Sequence, residues 1–519
     1  MKYEAVIGLE THIQVHTQSK MFCSCANKYG AEPNTLVCPV CMGYPGVLPV
    51  PNREAIRRTV KAGMLTNCTI AKFSKFDRKS YFYPDMPKNY QISQYDLPFC
   101  EHGWIALSGT GFSGAPLPEK KIGVTRIHLE EDVAKLTHFG HYSGVDYNRA
   151  GVPLMEVVSE PDMRSADEAY AYLSALKEII RYGNIGDCDA EKGQMRCDVN
   201  ISLRPVGQKE FGVKVELKNL NSFRAVHRAI DYEIWRQGEM LDRGEKIYQE
   251  TRGWNDDAGE TYLMRRKESA HDYRYFPDPD LMPVTFTEEE LEAIRAELPE
   301  LPEAKRRRFV ADYGVSEYDA GVLTGDRDLA DYFDAAAKLA KQPKLAANWI
   351  TGELLARLGA EKIGVKECKI TPAALAELVN LIESGAISGK IGKEVFPVMF
   401  ENGEAPKAIV ERLGLAQVSD SGAVAEVVAQ ALAANTRQAD EYRAGNERVL
   451  QYLVGQVMKL SRGRVNPQLA IAELKKQLNS GSQPVSSSCS PSRRTASRRF
   501  CSTASVPITA GCRWCCTAR

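Results

Sequence analysis

"GQMRCDVNISLRPV", residues 193–206, decides how the first half of the chain is read. Met195, Cys197, Val199, Ile201 and Leu203 alternate with Arg196, Asp198, Asn200 and Ser202. That is the two-residue period of a strand with one buried face and one polar face. "GVKVELKNLNS" (212–222) repeats the pattern, with Val213, Val215 and Leu217 set against Lys214, Glu216 and Lys218. The pair reads as an antiparallel hairpin whose polar face carries carboxylates and lysines.

Working outward, "VIGLETHIQVH" (6–16) places Leu9, Thr11, Ile13 and Val15 opposite Glu10, His12, Gln14 and His16. Between these strands, "SADEAYAYLSALKEIIRYGNIG" (165–186) has helical spacing. Ser165 can cap that helix, Tyr172, Leu173, Leu176, Ile179 and Ile180 form its stripe, and Gly183 can end it. Residues 1–294 therefore predict a strand-rich domain. From 295 to 410 the pattern is helical: Thr371 and Pro372 open one helix, Leu375, Leu378, Val379 and Ile382 give its apolar face, and Gly385 closes it. The loop "LGLAQVSDSG" (413–422) leads into a last helical module, 411–478. The fold class is α+β, an antiparallel-sheet-rich domain followed by helical ones.

A chain of 519 residues is too long for one core, and about two to four domains are expected. Charged residues at 26% and hydrophobic residues at 44% are ordinary for soluble globular proteins. Lys+Arg and Asp+Glu balance at 67 each, so nucleic-acid contact must come from a local patch. Within 446–478, Arg448, Lys459, Arg462, Arg464, Lys475 and Lys476 stand against Glu447 and Glu473; such a face is usually just solvated, and a basic helical module also suits a grip on an RNA backbone. No apolar run suggests a membrane span, and the N-terminal stretch lacks the apolar core of a secretory signal. A reducing cytoplasm is the expected setting. Residues 479–519, dense in Ser, Arg and Cys and with no Asp or Glu from Ser480 on, read as a disordered or aberrant tail, such as a shifted reading frame gives.

Cys23, Cys25, Cys38 and Cys41 form a C-x-C and a C-x-x-C twelve residues apart. In a reducing compartment two close pairs suit tetrahedral zinc with no open position. A metal-free reduced loop is the alternative, and a redox centre lacks the βαβ setting it needs. "GTGFSG" (109–114) matches a dinucleotide fingerprint, but Pro116 and Pro118 forbid the helix that must follow. "GAISGKIGK" (385–393) has neither P-loop spacing nor the required hydroxyl, since Ile391 stands in its place.

Glu10 and His12 share one strand face. "TRIHLEEDVAK" (125–135) adds Arg126, His128 and Glu130 in one phase and Glu131 in the other, and Glu156 sits in an apolar stretch. Carboxylates converging with an imidazole suit Mg²⁺ or Mn²⁺. For any single carboxylate an ordinary ion pair is the simpler reading; as a set they point to a site. "FDRKSYFYPDMPKNYQISQYD" (76–96) mixes Lys79 and Lys88 with tyrosines in a non-repetitive loop, suited to neutralising phosphate and stacking on a base.

"VIGLETHIQ", "GAEPNT…YPGVLPV", the 76–96 loop, "NRAGVPLMEVVSEPD", "RCDVNISLRP", "ELKNLNSFRAV" and "DYRYFPDPDL" together resemble the B subunit of the tRNA-dependent amidotransferase, over residues 1 to 478. No inserted synthetase-like domain interrupts the helical part, which favours the bacterial or organellar type. The resemblance implies a cradle-like catalytic domain, a helical domain, and a YqeY-like tail domain that touches tRNA. It implies ATP-dependent phosphorylation of the side-chain carboxylate of Glu-tRNA(Gln) or Asp-tRNA(Asn), then amidation by ammonia channelled from glutamine. It also implies an amidase-like A subunit and a small C subunit as partners. Matched residue by residue, a magnesium site falls on Glu10, His12, Glu131 and Glu156, with Glu130 adjacent. The strand phase favours Glu130 as the neighbour of His128, so both are kept. Lys79 joins the catalytic candidates. Tyr81, Tyr83, Lys88, Asn89, Tyr90, Gln91, Asp198, Asn200, Glu216 and Lys218 are the nucleotide- and substrate-binding candidates. A non-catalytic tRNA-binding protein, or a stand-alone ligase using free ammonia, are the competing readings.

Overall fold

The strands that alternate in sequence gather into one large sheet because each has a single apolar face to hide. The computed structural model describes residues 2–107, 110–266, 273–415, 421–461 and 464–480. The remaining tail residues, 481–519, lie outside them, as do the linker residues 416–420 and Arg462 of the basic stretch.

In chain order the first part contains β1 (Tyr3–Gln14), α1 (Arg53–Leu65), β2 (Thr69–Ile70), β3 (Phe73–Ser74), β4 (Asp77–Ser80), β5 (Tyr90–Ser93), β6 (Cys100–Leu107) and β7 (Lys120–Glu131). There follow β8 (Lys135–Phe139), β9 (Tyr142–Asp146), β10 (Pro153–Ser159), α2 (Ala166–Tyr182), β11 (Met195–Pro205), β12 (Val215–Lys218), α3 (Phe223–Asp242), β13 (Glu250–Asn255) and β14 (Glu260–Arg266). The main sheet has nine strands in the order β14-β13-β12-β11-β1-β10-β7-β6-β2. Its pairings are antiparallel except β12 with β13, which run parallel and are joined through α3. β4 and β5 form a small separate sheet with Phe276–Pro277, and β8 and β9 form a hairpin.

β11 and β12 pair antiparallel, Val199 opposite Leu217 and Ile201 opposite Val215. β12 is only four residues long; Val213, expected in the strand, precedes it in a loop and is exposed. One sheet face is apolar: Leu9, Ile13, Ile127, Leu129, Met155, Val157, Val199, Ile201 and Leu217 are buried in a single cluster with Tyr172, Leu173, Leu176 and Ile180 of α2 and Val226 and Ile230 of α3. Each such side chain contributes about 1.5–3 kcal/mol by leaving water. The Ser165 hydroxyl accepts from the Glu168 amide at the start of α2, and Asp167 and Glu168 in its first turn suit the positive end of the helix.

Helices follow: α4 (Glu288–Ala296), α5 (Pro302–Tyr313), α6 (Glu317–Thr324), α7 (Arg327–Leu339), α8 (Pro343–Trp349), α9 (Leu355–Glu361), α10 (Pro372–Glu383), α11 (Gly389–Asn402) and α12 (Pro406–Arg412). α10 begins as its sequence suggests, with the Thr371 hydroxyl accepting from the Ala374 amide and Pro372 in the first turn. The chain forms two compact units. One is Met1–Ser384 with Lys393–Leu413; the other is Gly385–Gly392 with the described residues from Gly414 onward. The second holds α13 (Ser421–Ala434), α14 (Thr436–Arg443), α15 (Val449–Leu460) and α16 (Pro467–Ser480) around Val428, Leu453, Val457, Leu474 and Leu478. Among the described residues no helix is long and apolar enough to cross a membrane.

Candidate functional site

Strand register brings the polar residues together. His12 on β1 stands opposite Glu156 on β10, and Glu156 stands opposite His128 on β7. Glu130 is opposite Leu154, one repeat along β7 on the same face. His12 Nε2 lies 3.3 Å from Glu156 Oε2 and 3.9 Å from Glu130 Oε1. His128 Nε2 lies 3.5 Å from Glu156 and 3.6 Å from Glu130. Ligand atoms of His12, Glu130 and Glu156 all fall within 4.8 Å of one another.

Both carboxylates are buried. Burial opposes the charge of Glu156, but the neighbouring His128, the hydrogen bond with His12 and the charge of Lys79 outweigh it and hold the group well below the usual carboxylate range. Burial likewise opposes the charge of Glu130, and His128 and Lys79 reverse the balance. The imidazole of His12 loses solvation on burial, yet Glu156 and Glu130 raise its value above the ordinary one. Lys79 shows the same contest, with Glu130, Tyr275 and Glu156 favouring its charged form over the cost of burial. Its Nζ also sits 5.1 Å from the Tyr273 ring centre. The Ser93 hydroxyl donates to Glu130 at 3.0 Å. Nδ1 of His128 is buried with no hydrogen-bond partner.

The polar face continues sideways. Glu10 pairs in register with Asp198, two residues from His12, and its carboxylate accepts from Asn200 Nδ2 at 2.9 Å. Lys218 bridges Asp198 and Glu216, and Thr251 donates to Glu216 at 2.7 Å. Arg196, opposite His12, is held by Asp132 at 2.9 Å. Asp132 is buried and also accepts from Gln14 at 3.0 Å. Burial opposes its charge, but Arg196, Arg149 and these hydrogen bonds keep it below the usual carboxylate range.

Glu131 is not brought to this cluster. Strand alternation turns it to the other face, where Lys88 pairs with its carboxylate and the Ile92 amide donates to it at 3.0 Å. Glu130 stands where the expected set of Glu10, His12, Glu131 and Glu156 has Glu131, and Glu10 lies beside the cluster. Lys88 is consequently not a free cation. Gln91 donates to the Glu131 carbonyl at 2.7 Å, and Tyr90 stacks on Arg78, whose Cζ is 4.3 Å from the ring centre. Asn89 adopts a left-handed conformation (φ 61°) that turns the loop. Tyr81 and Tyr83 lie with ring centres 6.2 Å apart, Tyr83 exposed. The sequence gives no local signal for Asp132 and Arg196 as partners, because 64 residues separate them.

The loop from β1 to α1 brings Sγ atoms of Cys23, Cys25, Cys38 and Cys41 within 4.8 Å of one another. The Cys38 amide donates to Cys41 Sγ at 3.2 Å. The Cys41 thiol is lowered to about 4, first by hydrogen bonding with Cys23, against burial, and then by the Cys38 amide and Lys20. Cys25 is pushed up to about 11, chiefly by burial. Asn52 fastens the loop to α1: its side chain accepts from the Glu54 and Ala55 amides and donates to the Ser19 carbonyl. Cys41, Lys88, Tyr90 and Glu131 line one cleft. At Gly43 (φ 68°) any Cβ would lie 2.9 Å from Lys88 Cα, so only glycine fits.

Residues 5–292 match the family model of the GatB/GatE catalytic domain, and residues 331–478 match that of the GatB (Yqey) domain. The aspartyl/glutamyl-tRNA(Asn/Gln) amidotransferase B subunit of Carboxydothermus hydrogenoformans is 52% identical over 472 residues, covering 90% of this chain and 97% of that protein. The protein of the same name from Thermoanaerobacter pseudethanolicus is 51% identical over 480 residues, covering 92% of this chain and 100% of that one. With a fold, a polar site and relatives that agree along most of its length, the chain belongs to the family of aspartyl/glutamyl-tRNA amidotransferase B subunits.

Proposed function

We propose that this chain activates and amidates the side-chain carboxylate of a misacylated tRNA, Glu-tRNA(Gln) or Asp-tRNA(Asn). A carboxylate is a poor acyl donor. Attack of its oxygen on the γ-phosphorus of ATP, with departure of ADP, gives an acyl phosphate; ammonia then attacks the acyl carbon, phosphate leaves, and nitrogen loses a proton. The observation that carries this reading is the convergence of His12, His128, Glu130 and Glu156 on one sheet face beside Lys79. Phosphoryl transfer chiefly requires positioning and charge neutralisation, and no enzyme nucleophile.

Two carboxylates and an imidazole whose ligand atoms lie within 4.8 Å of one another fit a hard divalent cation. His12, Glu130 and Glu156 would hold Mg²⁺ or Mn²⁺, which when bound neutralises charge on phosphoryl oxygens. Lys79 offsets the remaining negative charge of the cluster. Glu10, Asp198, Asn200, Glu216 and Lys218 offer a hydrogen-bonding face for ATP and the aminoacyl end. Tyr81 and Tyr83 offer ring faces for a base. Lys88, Asn89, Tyr90 and Gln91 shape the loop and fix Glu131. The four cysteines fit a closed structural zinc centre by donor type and spacing.

Ammonia comes from glutamine hydrolysed on an amidase-like A subunit, with a small C subunit completing a heterotrimer. The basic stretch within 446–478 grips tRNA backbone. A reducing cytoplasm suits the free thiols. The test is Glu156→Gln in the assembled enzyme, assayed for ATP-dependent amidation with glutamine and separately with ammonium. Both should fall by about two orders of magnitude, while glutamine hydrolysis persists. Rescue by ammonium would assign Glu156 to ammonia supply and overturn the proposal.

A further inference from the structure

Lys20 has no measurable exposure, less than Lys61 or Lys305. A buried ammonium requires a partner, because leaving water is costly for a full charge. Lys305 has one, in Asp331. Lys20 has no carboxylate in reach among the described residues: its Nζ lies 3.7 Å from Cys41 Sγ and 3.2 Å from the Tyr147 carbonyl oxygen. A carbonyl supplies a dipole and no charge. The anion that Lys20 faces is the sulfur of Cys41.

The surroundings hold it there. The Lys20 amide donates to the Cys25 carbonyl, and the Met21 amide donates to the Gly151 carbonyl. Lys20 therefore sits within the loop that presents the four cysteines, and its stem lies against Gly151, where a Cβ would be 3.5 Å from both Lys20 Cδ and Cys41 Cβ. Four thiolates around one dication leave an excess of two negative charges, in a site half removed from water. A fixed cation against one sulfur offsets part of that excess.

We propose that Lys20 is the built-in counter-ion of the four-cysteine centre, setting how tightly the centre holds zinc. The inference rests on the zinc reading given above. Lys20 is a positioning residue: it touches a ligand sulfur and not the metal. Partners of this kind, placed behind the ligands, commonly change metal affinity by about 10–100-fold.

The test uses the full chain with Lys20→Met, Lys20→Gln and Lys20→Arg, and measures zinc affinity by competition with a chromophoric chelator. Cobalt substitution reports the ligand set through its thiolate charge-transfer absorption. Parent protein should bind one zinc and give a four-thiolate cobalt spectrum. Lys20→Met and Lys20→Gln should keep that spectrum while losing about 10–100-fold in zinc affinity, and Lys20→Arg should stay close to the parent. The Gln variant retains a donor for Tyr147 and serves if the Met variant does not fold. Parent protein that binds no zinc would refute the zinc reading itself. Zinc bound by parent and equally tightly by Lys20→Met or Lys20→Gln would overturn the role of Lys20 alone. So would an arginine variant as weak as the glutamine one, since shape and not charge would then matter.

Discussion

Glu130 and Glu131 are neighbours in the chain and face opposite sides of the same strand. The first turns toward His12 and His128, and the second is closed off by Lys88. One residue of register separates a candidate ligand from a buried ion pair. The two glutamine substitutions should therefore fail differently. Glu130→Gln should fold normally and lower ATP-dependent amidation by about 100-fold. Glu131→Gln should leave the ammonium of Lys88 buried without its charge partner and lower stability by about 3–5 kcal/mol. Thermal melting beside amidation assays separates them; equal melting temperatures with equal activity losses would contradict the assignment.

Asp132 predicts an acid limb in the stability profile. Its folded-state value is depressed by Arg196 and Arg149 despite burial. The stabilisation is complete above the unfolded carboxylate value of about 3.9 and is lost as pH falls through the lower folded value, because there the unfolded chain binds the proton first. Melting temperatures of Asp132→Asn should thus decline less steeply below about pH 4 than those of the parent. At pH 7 the variant should be weaker by about 1–3 kcal/mol, given the solvent around Arg196. An unchanged acid slope would remove Asp132 as its source.

Cys38→Ser should reduce bound zinc and melting temperature together, with residual amidation in whatever remains folded. The loop carries ties besides the cysteines, such as Asn34 to the Val145 carbonyl and Asn148 to the Glu32 carbonyl, so a partial loss is expected. Metal loss with an unchanged melting temperature would refute a structural role.

Shortening the chain separates the tail from the last helical unit. Removing 481–519 should leave stability and tRNA affinity as they are. Removing everything from Asn446 takes away Leu453, Val457, Leu474 and Leu478, which pack on Val428, and should weaken tRNA binding and its salt dependence. Equal affinities for the two truncations, measured across salt concentrations, would argue against this unit as the tRNA grip.

Strand periodicity made the site's face legible. Met195 to Leu203 and Leu9 to Ile13 point one way, so Glu10, His12, Asp198 and Asn200 had to share the other. The phase of 125–135 also marked Glu130 as the companion of His128. What a single strand could not disclose was its neighbour. That β10 lies between β1 and β7, setting Glu156 between two imidazoles, follows from sheet order and not from local pattern. The Lys88–Glu131 and Arg196–Asp132 pairs were invisible for the same reason: each joins residues far apart in sequence. The capacity of Lys88 to look like a free phosphate-binding cation disappears once Glu131 faces it.

In the proposed chemistry this polar face transfers a phosphoryl group to the aminoacyl carboxylate. Glu-tRNA carrying ¹⁸O in its side-chain carboxylate tests it most directly, with the inorganic phosphate released by the assembled enzyme analysed by mass spectrometry. The label should pass into phosphate at the rate of amidation, and in Glu156→Gln that transfer should fall by about two orders of magnitude while glutamine hydrolysis continues. Phosphate free of label, or label transferred at the parental rate in Glu156→Gln, would contradict the account.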